Sequence, residues 1–312
     1  MINRIAKFLI LVFVILLSSC KTEQSNTEKS NTEKEDSLIK ERYYFDQKPP
    51  GLIPEVFAPG IVSIDGRFEG TVSFSSELNE MYFAAENKEE EASIYFSKLK
   101  DDKWTPVKKA NFTNGKKKEE MHPFVSPDGK RIYFTAMDSA FADEKIWYVD
   151  RLEDSWSNAT LLDSPINEDM VFFPNQSKNG DLYYFNLSKF KTYHAPNKNG
   201  KFPEVREVAL EFGHHAFISP SQDYIILTAK SDLEDGRKDN DMYVYFKEKD
   251  GTWAAPKNLG NTINTGFNEK APRITPDGKY LFFGRDERDI EPGLSNIYWV
   301  STEVIENLRP KQ

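Results

Sequence analysis

From about residue 54 onward, apolar and polar residues alternate with a period of two, in runs rich in aromatic and β-branched side chains. Such runs predict half-buried strands. The segment 122–162 shows the unit most plainly. His122 to Ser126 reads as a first strand, and Pro127-Asp128-Gly129 as a turn. Arg131 to Ala136 reads as a second strand and Lys145 to Val149 as a third. A fourth begins around Trp156 and ends near Leu162. Pro presets φ in the turn and Gly accepts φ > 0. Third strands recur at Ile94-Tyr95-Phe96, Thr192-Tyr193, Met242-Tyr243-Val244 and Ile297 to Val300. Fourth strands are expected to start at Trp104, Phe202 and Trp253, each followed within three residues by Pro.

The turn phrase is itself periodic. Ser126-Pro127-Asp128-Gly129-Lys130 returns as Thr275-Pro276-Asp277-Gly278-Lys279, and weaker copies start at Ser75, Gln176 and Ser219. These anchors are 51, 50, 43 and 56 residues apart. Four antiparallel strands at a fixed period of this length predict an all-β fold, a β-propeller of four-stranded blades. Residues 54–303 make five blades, and a sixth would need a repeat that is not visible. The last repeat has no Trp-led fourth strand. The segment Glu55 to Val62 has no blade of its own, so it is expected to supply that strand, closing the ring and hiding two sheet edges.

The first residues follow a different pattern. Arg4 and Lys7 precede a wholly apolar run, Phe8 to Leu17, which fits the apolar region of a signal peptide and is short for a bilayer span. Leu17-Ser18-Ser19-Cys20 follows and resembles the bacterial lipobox, which implies lipidation of Cys20 and a membrane anchor. Cys20 is the only cysteine in 312 residues, which excludes an internal disulfide. Residue 21 is Lys rather than Asp, which by resemblance to Gram-negative lipoproteins implies the outer membrane, on its periplasmic face or at the cell surface. Residues 21–47 read as a disordered tether: Ser25 to Lys29 is repeated directly as Ser30 to Lys34, with few large apolar residues up to residue 42. The organisation expected is thus signal peptide 1–20, tether 21–47 and propeller 48–312. Formal net charge is −9, and about −11 without Arg4 and Lys7, which argues against a nucleic-acid partner.

The phrase Ser-Pro-Asp-Gly-Lys followed by Ile-Tyr-Phe resembles the WD40-like (PD40) repeats of TolB-like proteins. The resemblance spans about 250 residues, strongest in the second and fifth repeats. It implies a propeller, often six-bladed in the family. Members occur as lone lipoproteins or beside peptidoglycan-binding or hydrolase domains, so fold does not by itself give function.

Aligned on the anchors, the repeats place Glu69, Glu120, Met170, Gly213 and Glu269 at one position, and Thr71, His122, Phe172, His215 and Ala271 two residues later. Innermost strands line a propeller's channel. Glu69, Glu120 and Glu269, with His122 and His215, are therefore candidate ligand-binding residues at a channel mouth, suited to a cationic, metal or sugar ligand. In TolB-like repeats a Glu before the first strand also joins neighbouring blades, which is the structural alternative. Strand alternation places His214 and His215 on opposite faces. The acidic segment Asp232 to Asp241 lacks EF-hand spacing. No nucleophile elbow, zinc-protease motif, phosphate loop or dinucleotide fingerprint is present. No catalytic residue, metal or cofactor is assigned. The function expected is a non-enzymatic binding module for an envelope protein or glycan. A carbohydrate-active enzyme, glycosidase or lyase, using the channel carboxylates is the alternative.

Overall fold

The structure is a computed structural model that describes residues 44–231, 239–286 and 295–311. The leader, Cys20 and the tether up to residue 43 lie outside the described residues, as does most of the acidic segment 232–241. The chain forms two units, Met1–Lys48 and Pro49–Gln312. Of the first, residues 44–48 are described, and Gln47 N–H closes a turn on the Tyr44 carbonyl. Among the described residues no helix is long and apolar enough to cross a membrane.

The second unit is built of strands, with two four-residue helical turns at Pro165–Glu168 and Glu303–Glu306. Strand β1 is Glu55–Val56. The first blade comprises β2 (Phe68–Phe74), β3 (Glu80–Glu86), β4 (Ser93–Lys100) and two short outer strands, β5 (Lys103–Trp104) and β6 (Lys108–Lys109). The second is β7 (Glu119–Val125), β8 (Arg131–Met137), β9 (Lys145–Asp150) and β10 (Thr160–Leu161). The third is β11 (Val171–Gln176), β12 (Leu182–Asn186), β13 (Lys191–Ala195) and β14 (Arg206–Glu207). The fourth is β15 (His214–Ile218), β16 (Tyr224–Lys230), β17 (Asn240–Phe246) and β18 (Lys257–Asn258). The fifth is β19 (Asn268–Ile274), β20 (Tyr280–Asp286) and β21 (Ser295–Ser301). Each blade is an antiparallel meander. β1 pairs antiparallel with β21, Glu55 opposite Trp299 and Val56 opposite Tyr298. Beyond it the fully buried Phe57 ring lies 4.9 Å from Phe282 and 5.3 Å from Trp299.

The innermost strands β2, β7, β11, β15 and β19 each touch the next, and β19 touches β2, so the five surround one axis. Apolar layers fill the space between blades. Tyr82, Ile94 and Phe112 of the first blade pack with Val125, Ile132 and Phe134 of the second. Each buried large side chain of this kind contributes about 2 kcal/mol of transfer free energy.

The anchor turns show what the repeated phrase does. Ser126 Oγ accepts the Arg131 N–H and donates to Asp128, whose carboxylate accepts the Lys130 N–H; Gly129 then sits at φ +68°. Thr275, Asp277 and Gly278 repeat the arrangement. Leu78 (φ +57°) and Gln222 (φ +61°) take the glycine's place in the first and fourth blades.

Two sequence expectations need correction. The third anchor is Ser177, not Gln176: Ser177 Oγ bonds Asn179, and Gly180 takes the left-handed position. The aligned channel residues of that blade are therefore Val171 and Phe173, one residue beyond Met170 and Phe172. The copy is cryptic because Lys178 replaces the proline. In the third and fourth blades the outer strands start later than the aromatics at Phe202 and Trp253 suggest, whereas Trp104 lies where expected, in β5 opposite Leu99. Regular pairing runs through Arg206–Glu207 and Lys257–Asn258, after Pro203 and Pro256, and in the first blade resumes at Lys108–Lys109 after Pro106. Proline has no N–H for the ladder, so it marks the hairpin and not the strand. The aromatics cover the hairpin instead, as with Trp253, bridged to Lys247.

Candidate functional site

Every innermost strand carries a register shift: between Glu69 and Val72, Met121 and Phe124, Phe172 and Asn175, His214 and Phe217, and Lys270 and Arg273. His122, Phe173, His215 and Ala271 lie within these bulges at φ +54°, +59°, +50° and +54°. A bulge breaks the in–out alternation and re-aims the side chains around it. This is why His214 and His215 do not diverge as simple alternation predicts. Their rings are 4.7 Å apart and the two Nδ1 atoms are 2.6 Å apart, one nitrogen donating and the other accepting.

His122, Phe172, Phe173 and His215 gather at the axis. Ring centroids are 5.5 Å apart for His122–Phe173, 5.0 Å for Phe173–His215 and 5.8 Å for His122–His215. Surrounding protein penalises protonation of each imidazole; Lys270 adds to the penalty for all three, with Arg273 for His122 and His215 and Lys230 for His214. His122 is held at about 3, His214 at about 4 and His215 well below its usual range. All three are neutral at pH 7. They form an aromatic plug within the channel. Among the described residues no group of three or more His, Cys, Asp or Glu is arranged to hold a metal ion.

The three glutamates are all buried, and each is bonded to the linker that enters its own blade. Glu120 accepts the Phe112 N–H (3.0 Å) and the Thr113 N–H (2.6 Å). Glu269 accepts the Thr265 N–H (3.0 Å), the Thr265 hydroxyl (2.6 Å) and Arg285 Nε (2.8 Å). Glu69 accepts the Ile64 N–H (3.2 Å) and Arg67 Nε (2.7 Å) on Oε1, while Oε2 has no partner among the described residues. Burial pushes the Glu69 carboxyl up to about 7 despite Arg67. Burial also raises Glu269, against its bonds to Thr265 and Arg285. Both arginines continue to the linker: Arg67 donates to the Val62 carbonyl and Arg285 to the Ile263 carbonyl. In the fourth blade the equivalent residue is Gly213, where a Cβ would stand 2.4 Å from Leu227 Cδ1.

A second staple accompanies the glutamates and escaped the sequence reading. Asn167 accepts the Ile146 N–H and donates to the Ile146 and Leu162 carbonyls. Asn264 does the same to Met242, and Ser63 Oγ binds both the N–H and the carbonyl of Ile297. The signal was present as a short apolar–polar pair ahead of three of the blades: Val62-Ser63, Ile166-Asn167, Ile263-Asn264.

The space left for a ligand is elsewhere. A cavity of about 560 Å³ opens where the anchor turns meet. Every blade contributes to it, with Phe74 and Ser76, Phe124 and Pro127, Gln176 and Lys178, Phe217 and Ser221, and Arg273 and Asp277. Its size lies in the range of small-molecule sites. Arg273 is the residue that sequence reasoning missed. It stands two positions before its anchor, where the other blades carry Ser73, Phe124, Asn175 and Phe217. A charge at a channel-facing strand position was the available sign.

No protein-family model and no curated protein matches the sequence. Among solved structures, the chain is similar to the catalytic domain of the Coprinopsis cinerea GH62 α-L-arabinofuranosidase, with TM-score 0.52 and 10% identity, covering 81% of this chain and 98% of that one. It is also similar to TolB from Acinetobacter baumannii, with TM-score 0.48 and 14% identity. That match covers 74% of this chain and spans 56% of the TolB chain. A third match, to the oligogalacturonate lyase of Vibrio parahaemolyticus, has TM-score 0.42 and 13% identity, over 76% of this chain and 66% of that one. These likenesses concern fold, and they agree with the pairing of the strands: the chain is an all-β propeller of four-stranded blades.

Proposed function

We propose that this protein is a membrane-anchored envelope lipoprotein whose propeller binds a protein or glycan partner at the channel mouth and performs no chemistry on it. The observation that carries the reading is the division of labour in the channel. Glu69, Glu120 and Glu269 are buried and committed to the blade linkers, while an open cavity of about 560 Å³ lies at the anchor turns. A glycosidase needs two carboxyl groups facing substrate across about 5.5 Å, or about 6.5–9.5 Å for inversion. Carboxylates buried and already bonded to the linker backbone are poorly placed for that work. The lipobox-like Leu17 to Cys20 supports the anchor, and Lys21 supports the outer membrane, on its periplasmic face or at the cell surface.

The test is capture from crosslinked cells by the full-length protein, with Cys20→Ala and Ser76→Trp as comparisons. Ser76 is exposed and lines the cavity, so the tryptophan obstructs the mouth without entering the core. A specific partner recovered with the native protein and lost with Ser76→Trp supports the reading. Equal recovery with Ser76→Trp removes the channel mouth as the binding surface. Turnover of a glycan that Glu120→Gln abolishes without lowering the melting temperature would replace binding with catalysis.

A further inference from the structure

Arg273 is the most unusual side chain in the cavity. It is 3% exposed, and no carboxylate pairs with it among the described residues. Nη2 donates to the Pro174 carbonyl at 3.1 Å, but Nε and Nη1 have no acceptor among the described residues. The guanidinium lies 3.7 Å from the centre of the Phe173 ring, with Phe217 at 5.3 Å and Phe124 at 5.5 Å. Phe173 belongs to the aromatic plug and Arg273 lines the cavity, so the cation lies where the plug closes the channel.

A buried cation without a counter-ion is costly. Guanidinium stays protonated in proteins, so it cannot relieve the cost by losing its proton. Three ring faces supply cation–π attraction, which offsets part of the desolvation but satisfies no N–H. An anion on the free donors would do both. The walls above it, Phe74, Phe124 and Phe217, are apolar, and the rim is polar. Charge at the floor and apolar surface above select a ligand with an anionic end and an apolar body.

We infer that the cavity is a binding site for a small organic acid, whose carboxylate accepts from Arg273 while its apolar body lies against the phenylalanine walls. This rests on the reading of the channel mouth as a binding surface and adds a small ligand at its floor. The inorganic anions of the medium match the charge but not the walls, and a neutral sugar supplies no anion for Arg273.

The test is titration of the full-length protein with 3-phenylpropionate, hexanoate and indole-3-acetate, each beside its neutral amide, read by calorimetry and by shift of the melting temperature. The acid is expected to bind at least about tenfold more tightly than its amide, a preference lost in Arg273→Met and weakened at high salt. Arg273→Lys, which keeps the charge and loses the guanidinium fork, should retain part of it. If Arg273→Met fails to fold, Ser76→Trp serves in its place and should weaken the acid. Equal binding of acid and amide, or an acid preference that survives Arg273→Met, overturns the inference. So does failure of all three acids to bind. In that last case a partner still lost with Ser76→Trp leaves the binding-module reading standing. An acid that binds while partner capture ignores Ser76→Trp supports the site and overturns the reading.

Discussion

Replacing Glu120 by alanine separates a structural carboxylate from a ligand-binding one. The side chain is 5% exposed and accepts two backbone N–H groups, from Phe112 and Thr113. Those residues are themselves buried, at 6% and 2%, so water cannot replace the lost acceptors without opening the linker. Each orphaned donor costs about 1–3 kcal/mol. Removing a buried charge returns part of this, leaving a net loss of about 3 kcal/mol. A domain of this size loses about 2–4 °C per kcal/mol, so Glu120→Ala should melt about 6–12 °C lower. Glu120→Gln keeps one acceptor and sets an amide N–H2 against the other donor, for a loss of about 1.5 kcal/mol, or about 3–6 °C. The assay is thermal unfolding at pH 7 by circular dichroism, run beside partner capture on the same preparations. An alanine variant that melts with the native protein yet no longer captures the partner would refute the staple and make Glu120 a ligand contact.

Glu69 should behave differently, because its Oε2 has no partner among the described residues and burial holds its folded pKa at about 7, above the ordinary 4.5. The folded state therefore favours the protonated acid. That stabilisation is complete below about pH 4.5 and is lost as pH rises through 7. Glu69→Gln should match the native protein near pH 4.5 and exceed it above pH 7 by up to about 2 kcal/mol, and parallel curves of melting temperature against pH would count against this. The channel imidazoles have the opposite sign: their folded pKa values lie below 6.5, so stability is complete above that pH and declines as pH falls towards 4. His122→Phe should shallow that acid limb, measured by the same melts, and an unchanged limb would deny His122 a part in it. Gly213→Ala meets both a φ of +106° and Leu227 Cδ1 at 2.4 Å, and should cost about 2 kcal/mol in urea unfolding. Deleting residues 54–63 removes β1 and the buried Phe57, and should lower the melting temperature by at least about 10 °C. No change would mean that this segment does not hold the last blade.

The sequence by itself determined the strands, their grouping into blades and the turns that join them. Each of these depends on local chemistry repeated at fixed spacing: period-two burial, a Ser or Thr that binds its own turn, and a residue that accepts positive φ. Where the local chemistry was diluted, as at Ser177 with Lys178 for proline, the alignment slipped by one residue and set Met170 and Phe172 in the places that Val171 and Phe173 hold. Repetition also brought Glu69, Glu120 and Glu269 to one equivalent position. It could not tell whether they face the channel or the linker, because that depends on bonds to Ile64, Phe112, Thr113 and Thr265, which adjacent chain makes only once folded. The bulges decided the rest. A single left-handed residue in four of the five inner strands breaks the alternation on which sequence reasoning relies, turning His214 and His215 towards one another and building the plug. Arg273 owes its character entirely to the tertiary structure. In the chain it is one more basic residue in a strand, and only closure of three phenylalanines from three blades around it leaves Nε and Nη1 buried beside an open cavity with no acceptor among the described residues.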